Sequence, residues 1–153
     1  MKRIQFSLSL PRWHEWLVYL TAGLLTLTGV AWLILDRFGK IEGEFGPEQN
    51  PILPWLLMAH GVLAYSFLVV AAMLLPVHVR LGWNAGRNRN SGLLLISIGF
   101  VLAVSGLGLY YLSAEGVRAF TSTAHWLIGL VLPIGLIVHV LRGKGGRPKP
   151  ARP

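Results

Sequence analysis

The sequence predicts an all-α fold, a four-helix transmembrane bundle with both termini cytoplasmic, and three observations carry that reading. The 153-residue chain is 54% hydrophobic and only 13% charged, about half the charged share of an ordinary soluble domain. Its apolar residues are gathered into four long runs. Its basic residues are divided unevenly among the segments between those runs. So little polar surface cannot coat a water-soluble globule. A soluble enzyme is therefore disfavoured, and so is a nucleic-acid-binding domain, despite a net charge of +8.

The predicted spans cover about 14–36, 53–77, 91–113 and 119–142. About 20 helical residues at 1.5 Å rise cross a hydrocarbon core of about 30 Å. A backbone in lipid must satisfy its own hydrogen bonds, so each run is expected to be a helix. The connections read as loops: DRFGKIEGEFGPEQNPI over 36–52 is rich in Gly, Pro and acids, HVRLGWNAGRNRN over 78–90 is basic and Asn-rich, and SAEGVRA over 113–119 is a short turn. Residues 1–142 form one domain, and 143–153 have the composition of a disordered basic cytoplasmic tail.

Orientation follows from charge. The N-terminal segment (Lys2, Arg3, Arg12), the second connection (Arg80, Arg87, Arg89) and the tail (Arg142, Lys144, Arg147, Lys149, Arg152) hold 11 of the 14 basic residues. The other connections hold Arg37, Lys40 and Arg118 with five of the six acids. The positive-inside rule then puts both termini in the cytoplasm of a bacterial inner-membrane protein, with attraction to anionic lipid as a secondary effect. A cleavable signal peptide is not expected, because IQFSLSL is short, runs into Pro11 and lacks a small-residue cleavage pattern. The absence of cysteine excludes disulfides, iron–sulfur clusters and covalently attached c-type haem within this chain.

Five histidines in so charge-poor a chain are the chemical signal, since an ionisable residue inside a membrane is costly. His14 opens the first run, His60 lies early in the second and His78 just past its end, and His125 and His139 lie near the two ends of the fourth. The last two are 14 residues apart. They share a helix face to within about 40°, separated by about 21 Å along the axis. By direction of travel His60 is level with His125 near the outer surface, and His14 with His139 near the inner one. Two matched pairs on separate helices suit two bis-histidine haems. Zinc would instead gather three or four ligands at a single depth. Any one of these histidines alone reads more simply as a hydrogen-bonded packing residue, and His14 and His78 sit at interfaces where a polar ring is easily tolerated.

The segment RWHEWLVYLTAGLLTLTG resembles the first-helix motif of the membrane cytochrome b subunits of nickel–iron hydrogenases and formate dehydrogenase-N: a basic residue, His with a nearby Trp, and a closing Thr-Gly. AHWLIGLVLPIGLIVHVLRG resembles the last haem helix of that family, with two ligands 14 apart. All four runs match as a pattern, but only these two segments match closely. The resemblance implies one haem shared by His14 and His139 on the cytoplasmic side and another shared by His60 and His125 on the periplasmic side. NRNSGLLLISIGFVLAVSGLGLYYL resembles a short branch of small four-helix cytochrome b-like proteins.

His78 departs from that pattern. It lies 18 residues after His60, five turns of an unbroken helix. A two-helix scheme, as in the cytochrome b of quinol-oxidising bc complexes, pairs His78 with His139 and leaves His14 interfacial. Against that scheme stand the longer spacing and Pro76, which should disturb the register just before His78. With His14 preferred as ligand, His78 is a candidate to line a quinone pocket or relay protons beside Arg80, Asn88 and Asn90. Arg118, seven residues before His125, is a candidate for a haem propionate or an ordinary interfacial anchor. Gly61, Gly99, Gly106 and Gly129 can admit a porphyrin edge, although helix packing accounts for such glycines more simply. Pro133 is expected to kink the fourth helix between its histidines. Trp13, Trp16, Trp55, Trp83, Trp126, Tyr110 and Tyr111 form an aromatic belt.

The expected function is electron transfer by two haem b groups between a periplasmic or membrane redox partner and the quinone pool. The chain would be a subunit or anchor of a hetero-oligomeric oxidoreductase, with membrane lipid but no nucleic acid as a further partner. A haem-free scaffold or assembly subunit, and a histidine-based metal or proton transporter, are the rival readings.

Overall fold

A computed structural model describes residues 11–145, in the element order α1 (Arg12–Phe38), β1 (Ile41–Gly43), β2 (Gly46–Glu48), α2 (Leu53–Ala72), a π-helical turn (Leu75–Val79), α3 (Arg80–Asn84), α4 (Arg89–Tyr111) and α5 (Glu115–Gly145). The predicted tail and the N-terminal lysine and arginine lie almost wholly outside the described residues. Four helical stretches, Arg12–Phe38, Leu53–Asn84, Arg89–Tyr111 and Glu115–Lys144, are each long and apolar enough to cross a membrane. Large apolar side chains stand exposed along them, among them Leu27, Val62, Phe100 and Ile134. Such surfaces are what lipid, not water, would cover.

The described chain divides into two compact units, residues 11–74 and 75–145. In the first, α1 packs on α2. The backbone N–H groups of His14 and Glu15 donate to the Pro11 carbonyl as α1 begins. Thr21, Thr26 and Thr28 return their hydroxyl protons to carbonyls of their own helix, which removes unpaired donors from an apolar surface. Between the helices, β1 and β2 form a two-stranded antiparallel ribbon in which Ile41 faces Glu48 and Gly43 faces Gly46. Sequence reading assigns 36–52 entirely to loop. The ribbon is hard to foresee because Gly, Pro and Glu, which dominate it, are poor strand formers. Gly46 supplies the positive φ of +118° that the tight reversal needs. Asn50 then closes the connection, donating from Nδ2 to the Gly39 carbonyl and accepting from the Ile52 N–H.

In the second unit α4 packs on α5. The helical stretch begun by α2 does not end at Val77, as hydropathy suggests, but runs to Asn84. It does so through an altered register. Proline has no N–H to give the Ala72 carbonyl, and its ring crowds that carbonyl. The ladder accordingly tightens at Leu74, whose N–H donates to Ala71, and re-forms as the π turn containing Pro76 and His78. The expected disturbance by Pro76 is thus present, while the expected loop from residue 78 is helical as far as Asn84. Gly86 (φ +69°) and Asn88 (φ +51°) then turn the chain into α4.

The α4/α5 contact is antiparallel and built from small residues facing large ones. A Cβ on Gly135 would meet Leu95 at 3.2 Å, and one on Gly129 would meet Leu102 at 3.8 Å. Gly129 therefore serves helix packing, the simpler of its two expected roles. Pro133 lies inside α5, which remains helical on both sides of it.

Candidate functional site

Three of the five histidines are held in one and the same manner. Nδ1 of His60 lies 3.1 Å from the Thr28 hydroxyl of α1. Nδ1 of His125 lies 2.8 Å from the Ser105 hydroxyl, and Nδ1 of His139 lies 2.9 Å from the Ser91 hydroxyl, both on α4. In each case the residue after the hydroxyl is glycine, and its open side faces the same imidazole. A Cβ there would stand 3.0 Å from Cε1 of His60 at Gly29, 3.2 Å from Cε1 of His125 at Gly106, and 3.7 Å from Cε1 of His139 at Gly92. Gly106 serves the helix packing expected of it, its open side turned to His125 of α5. Gly99 has no heavy atom within 4 Å of such a Cβ.

The hydrogen bonds bear on where each proton sits. Every one of these hydroxyls also reaches a carbonyl of its own helix: Thr28 to Leu24 and Leu25 at 3.0 Å, Ser105 to Leu102 at 3.2 Å, Ser91 to Asn88 at 3.2 Å. A carbonyl can only accept, and a hydroxyl has one proton. Both contacts are hydrogen bonds only if the hydroxyl donates to the carbonyl and the ring donates from Nδ1. With that donation the lone pair of a neutral ring lies on Nε2, the atom that can bind a metal; the His60 ring also hydrogen-bonds the Leu25 backbone.

His14 is different. It is buried, with 6% exposure, stacked on Trp13 at 5.0 Å between ring centres. Its Nε2 lies 3.2 Å from the Val70 carbonyl of α2. That carbonyl is not used by Leu74, which has turned to Ala71. The ring must donate here from Nε2, so its lone pair falls on Nδ1, the reverse of the other three. His78, half-buried in the π turn, lies with its ring centre 6.3 Å from that of His139, the planes crossing at 70°.

Around His139 the polar residues of the α3–α4 turn converge. Asn88 donates from Nδ2 to the His139 carbonyl at 3.3 Å. Arg89 is anchored by Nε to the Trp83 carbonyl at 2.7 Å, its guanidinium 5.4 Å from the indole centre. A hollow of about 280 Å³ opens there, lined by Gly86, Asn88, Arg89, Asn90, Ser91 and Arg142. Arg118 is exposed in the first turns of α5. Among the described residues no group of three or more His, Asp or Glu side chains stands together as a metal cage. Comparison with known proteins finds no matching family model, no curated relative and no similar solved structure.

Sequence reasoning singles out the histidines and misses Thr28, Ser91 and Ser105. The signal exists, however. The chain contains three positions where Ser or Thr is followed by Gly (28–29, 91–92 and 105–106), and every one of them faces a histidine.

Proposed function

We propose that this chain is a b-type membrane cytochrome that binds two haems and moves electrons between a redox partner and quinone. The observation that carries the proposal is the shared environment of His60, His125 and His139: a hydroxyl at Nδ1 and a glycine at the ring edge. This donor set suits a haem, which these histidines would hold through one ring nitrogen while the protein holds the other. Bound haem supplies reversible one-electron chemistry. The chain's own part is to orient the rings, keep them neutral and surround them with apolar side chains that exclude water.

His60 and His125 make the outer tier and His139 the inner tier, following the depth order of the sequence and the resemblance to hydrogenase and formate dehydrogenase cytochromes. The resemblance gives His139 the partner His14. A second reading gives it His78. The His78 ring centre stands 6.3 Å from that of His139, so these two side chains are near enough to be candidates for holding one haem together. His14 would first have to release the Val70 carbonyl and move its proton. The hollow beside Ser91 is the proposed quinone head-group site, with Asn88, Asn90 and Arg142 as hydrogen-bond donors. Arg118 is proposed to meet a propionate in the outer tier. Both termini are assigned to the cytoplasmic side by the arginines and lysines of the sequence, and the resemblance implies a bacterial inner membrane. A periplasmic or membrane partner within a larger oxidoreductase completes the electron path.

A reduced-minus-oxidised visible spectrum of the purified chain, with haem quantified per polypeptide, tests the proposal. Two b-type haems per chain are expected. A chain expressed with ample haem that shows no b-type absorbance is instead a scaffold or a histidine-based transporter.

A further inference from the structure

We propose that Thr28, Ser91 and Ser105 are positioning residues, each of which locks one imidazole in the Nδ1–H tautomer and thereby assigns Nε2 as its metal-binding atom. Two independent features support this. The first is the hydrogen-bond pattern, in which each hydroxyl lies within reach of a carbonyl of its own helix as well as of Nδ1, so that a hydroxyl giving its proton to the carbonyl accepts from the ring.

The second is register. Ser91 and Ser105 are 14 residues apart on α4, and His125 and His139 are 14 apart on α5. In an antiparallel pair the first hydroxyl meets the last histidine and the second hydroxyl meets the first, and these are the two contacts observed. A hydroxyl–glycine dipeptide placed at random would not reproduce the histidine interval of its partner helix. The glycine is part of the device. It lets the ring lie close against the neighbouring backbone, so that the hydroxyl one residue earlier meets Nδ1 at 2.8–3.1 Å.

An outer hydrogen bond of this kind raises the basicity of the ligating nitrogen. More basic ligands favour ferric over ferrous iron, so removal of a hydroxyl should raise the midpoint potential of the haem it serves. This consequence rests on the haem reading; the tautomer assignment does not.

The test uses the full-length chain in lipid nanodiscs, labelled with ¹⁵N-histidine, first without haem. Nδ1–H signals are expected for His60, His125 and His139, and an Nε2–H signal for His14. In Thr28→Ala, Ser91→Ala and Ser105→Ala only the facing histidine should change its tautomer balance. Thr28→Ser, Ser91→Thr and Ser105→Thr should restore it. In haem-loaded protein each Ala variant should bind one haem about 10- to 100-fold more weakly. Where it is still bound, that haem should titrate at a raised potential, with the other haem unmoved. Wild-type rings protonated at Nε2, or Ala variants whose tautomers and potentials match wild type, overturn the proposal. A chain with the predicted tautomers but no haem overturns the functional reading and leaves the positioning role standing.

Discussion

The hairpin of α4 and α5 holds both of its span histidines by one device, whereas the hairpin of α1 and α2 uses that device once. In the first case Ser91 and Ser105 meet His139 and His125 at the same ring atom, Nδ1. In the second, Thr28 grips His60, but His14 gives its Nε2 proton to the Val70 carbonyl. The interval is nevertheless the same, since His14 and Thr28 are also 14 residues apart. Where α4 carries two hydroxyls at this spacing, α1 carries one hydroxyl and one histidine. The difference teaches that histidines at matched depths in two hairpins can be held by unlike partners, a hydroxyl in one case and a backbone carbonyl in the other.

The largest effect that can break the comparison is outright loss of a haem. His125→Ala or His60→Ala should take the chain from two haems to one by pyridine haemochrome assay, and equal haem content in wild type and both variants would remove the ligand assignment. Next comes the asymmetric pair. If His14 ligates, His14→Ala loses the inner haem while His78→Ala retains it. The ring geometry of His78 predicts the reverse, so the two variants together decide which histidine completes the inner tier.

The hydroxyl variants come third, with a loss of about 10- to 100-fold in haem affinity. Their absence of effect in α4, set against an effect of Thr28→Ala in α1, would mean the two hairpins are not built alike after all. Smaller still is a graded series at the glycines. Gly29→Ala places a methyl 3.0 Å from His60 and should destabilise by about 1–3 kcal/mol, as overpacking does. Gly106→Ala, at 3.2 Å, should cost less, and Gly92→Ala, at 3.7 Å, should be near neutral in thermal melts followed by circular dichroism. A series in any other order argues against ring contact as the reason for these glycines.

The four long helices are legible in the sequence because about twenty apolar residues in a row suit a membrane-spanning helix and little else. The five histidines are legible for a related reason, since each is an exception in or beside such a run. Pro76 announces a register fault but not its outcome. Whether a broken ladder stops or re-forms as a π turn depends on which carbonyls the neighbouring residues can still reach, and that brings His78 into a helical stretch instead of a loop. The ribbon at 41–48 is invisible to propensity. Thr28, Ser91 and Ser105 escape notice because a hydroxyl in a membrane helix ordinarily bonds its own backbone. These three do so as well, and only the antiparallel register shows what else they touch.

That register has a consequence for engineering. The matched intervals on α4 and α5 act as a ruler, with two gripping points per blade. Inserting seven residues between Ser91 and Ser105 alone should move one hydroxyl along its helix by about 10 Å and detach one histidine. Inserting seven in α4 and seven between His125 and His139 should lengthen both blades equally, with each face returning to within about 20° of its starting direction. Both grips should then re-form, and the distance between them becomes a design variable set by counting residues.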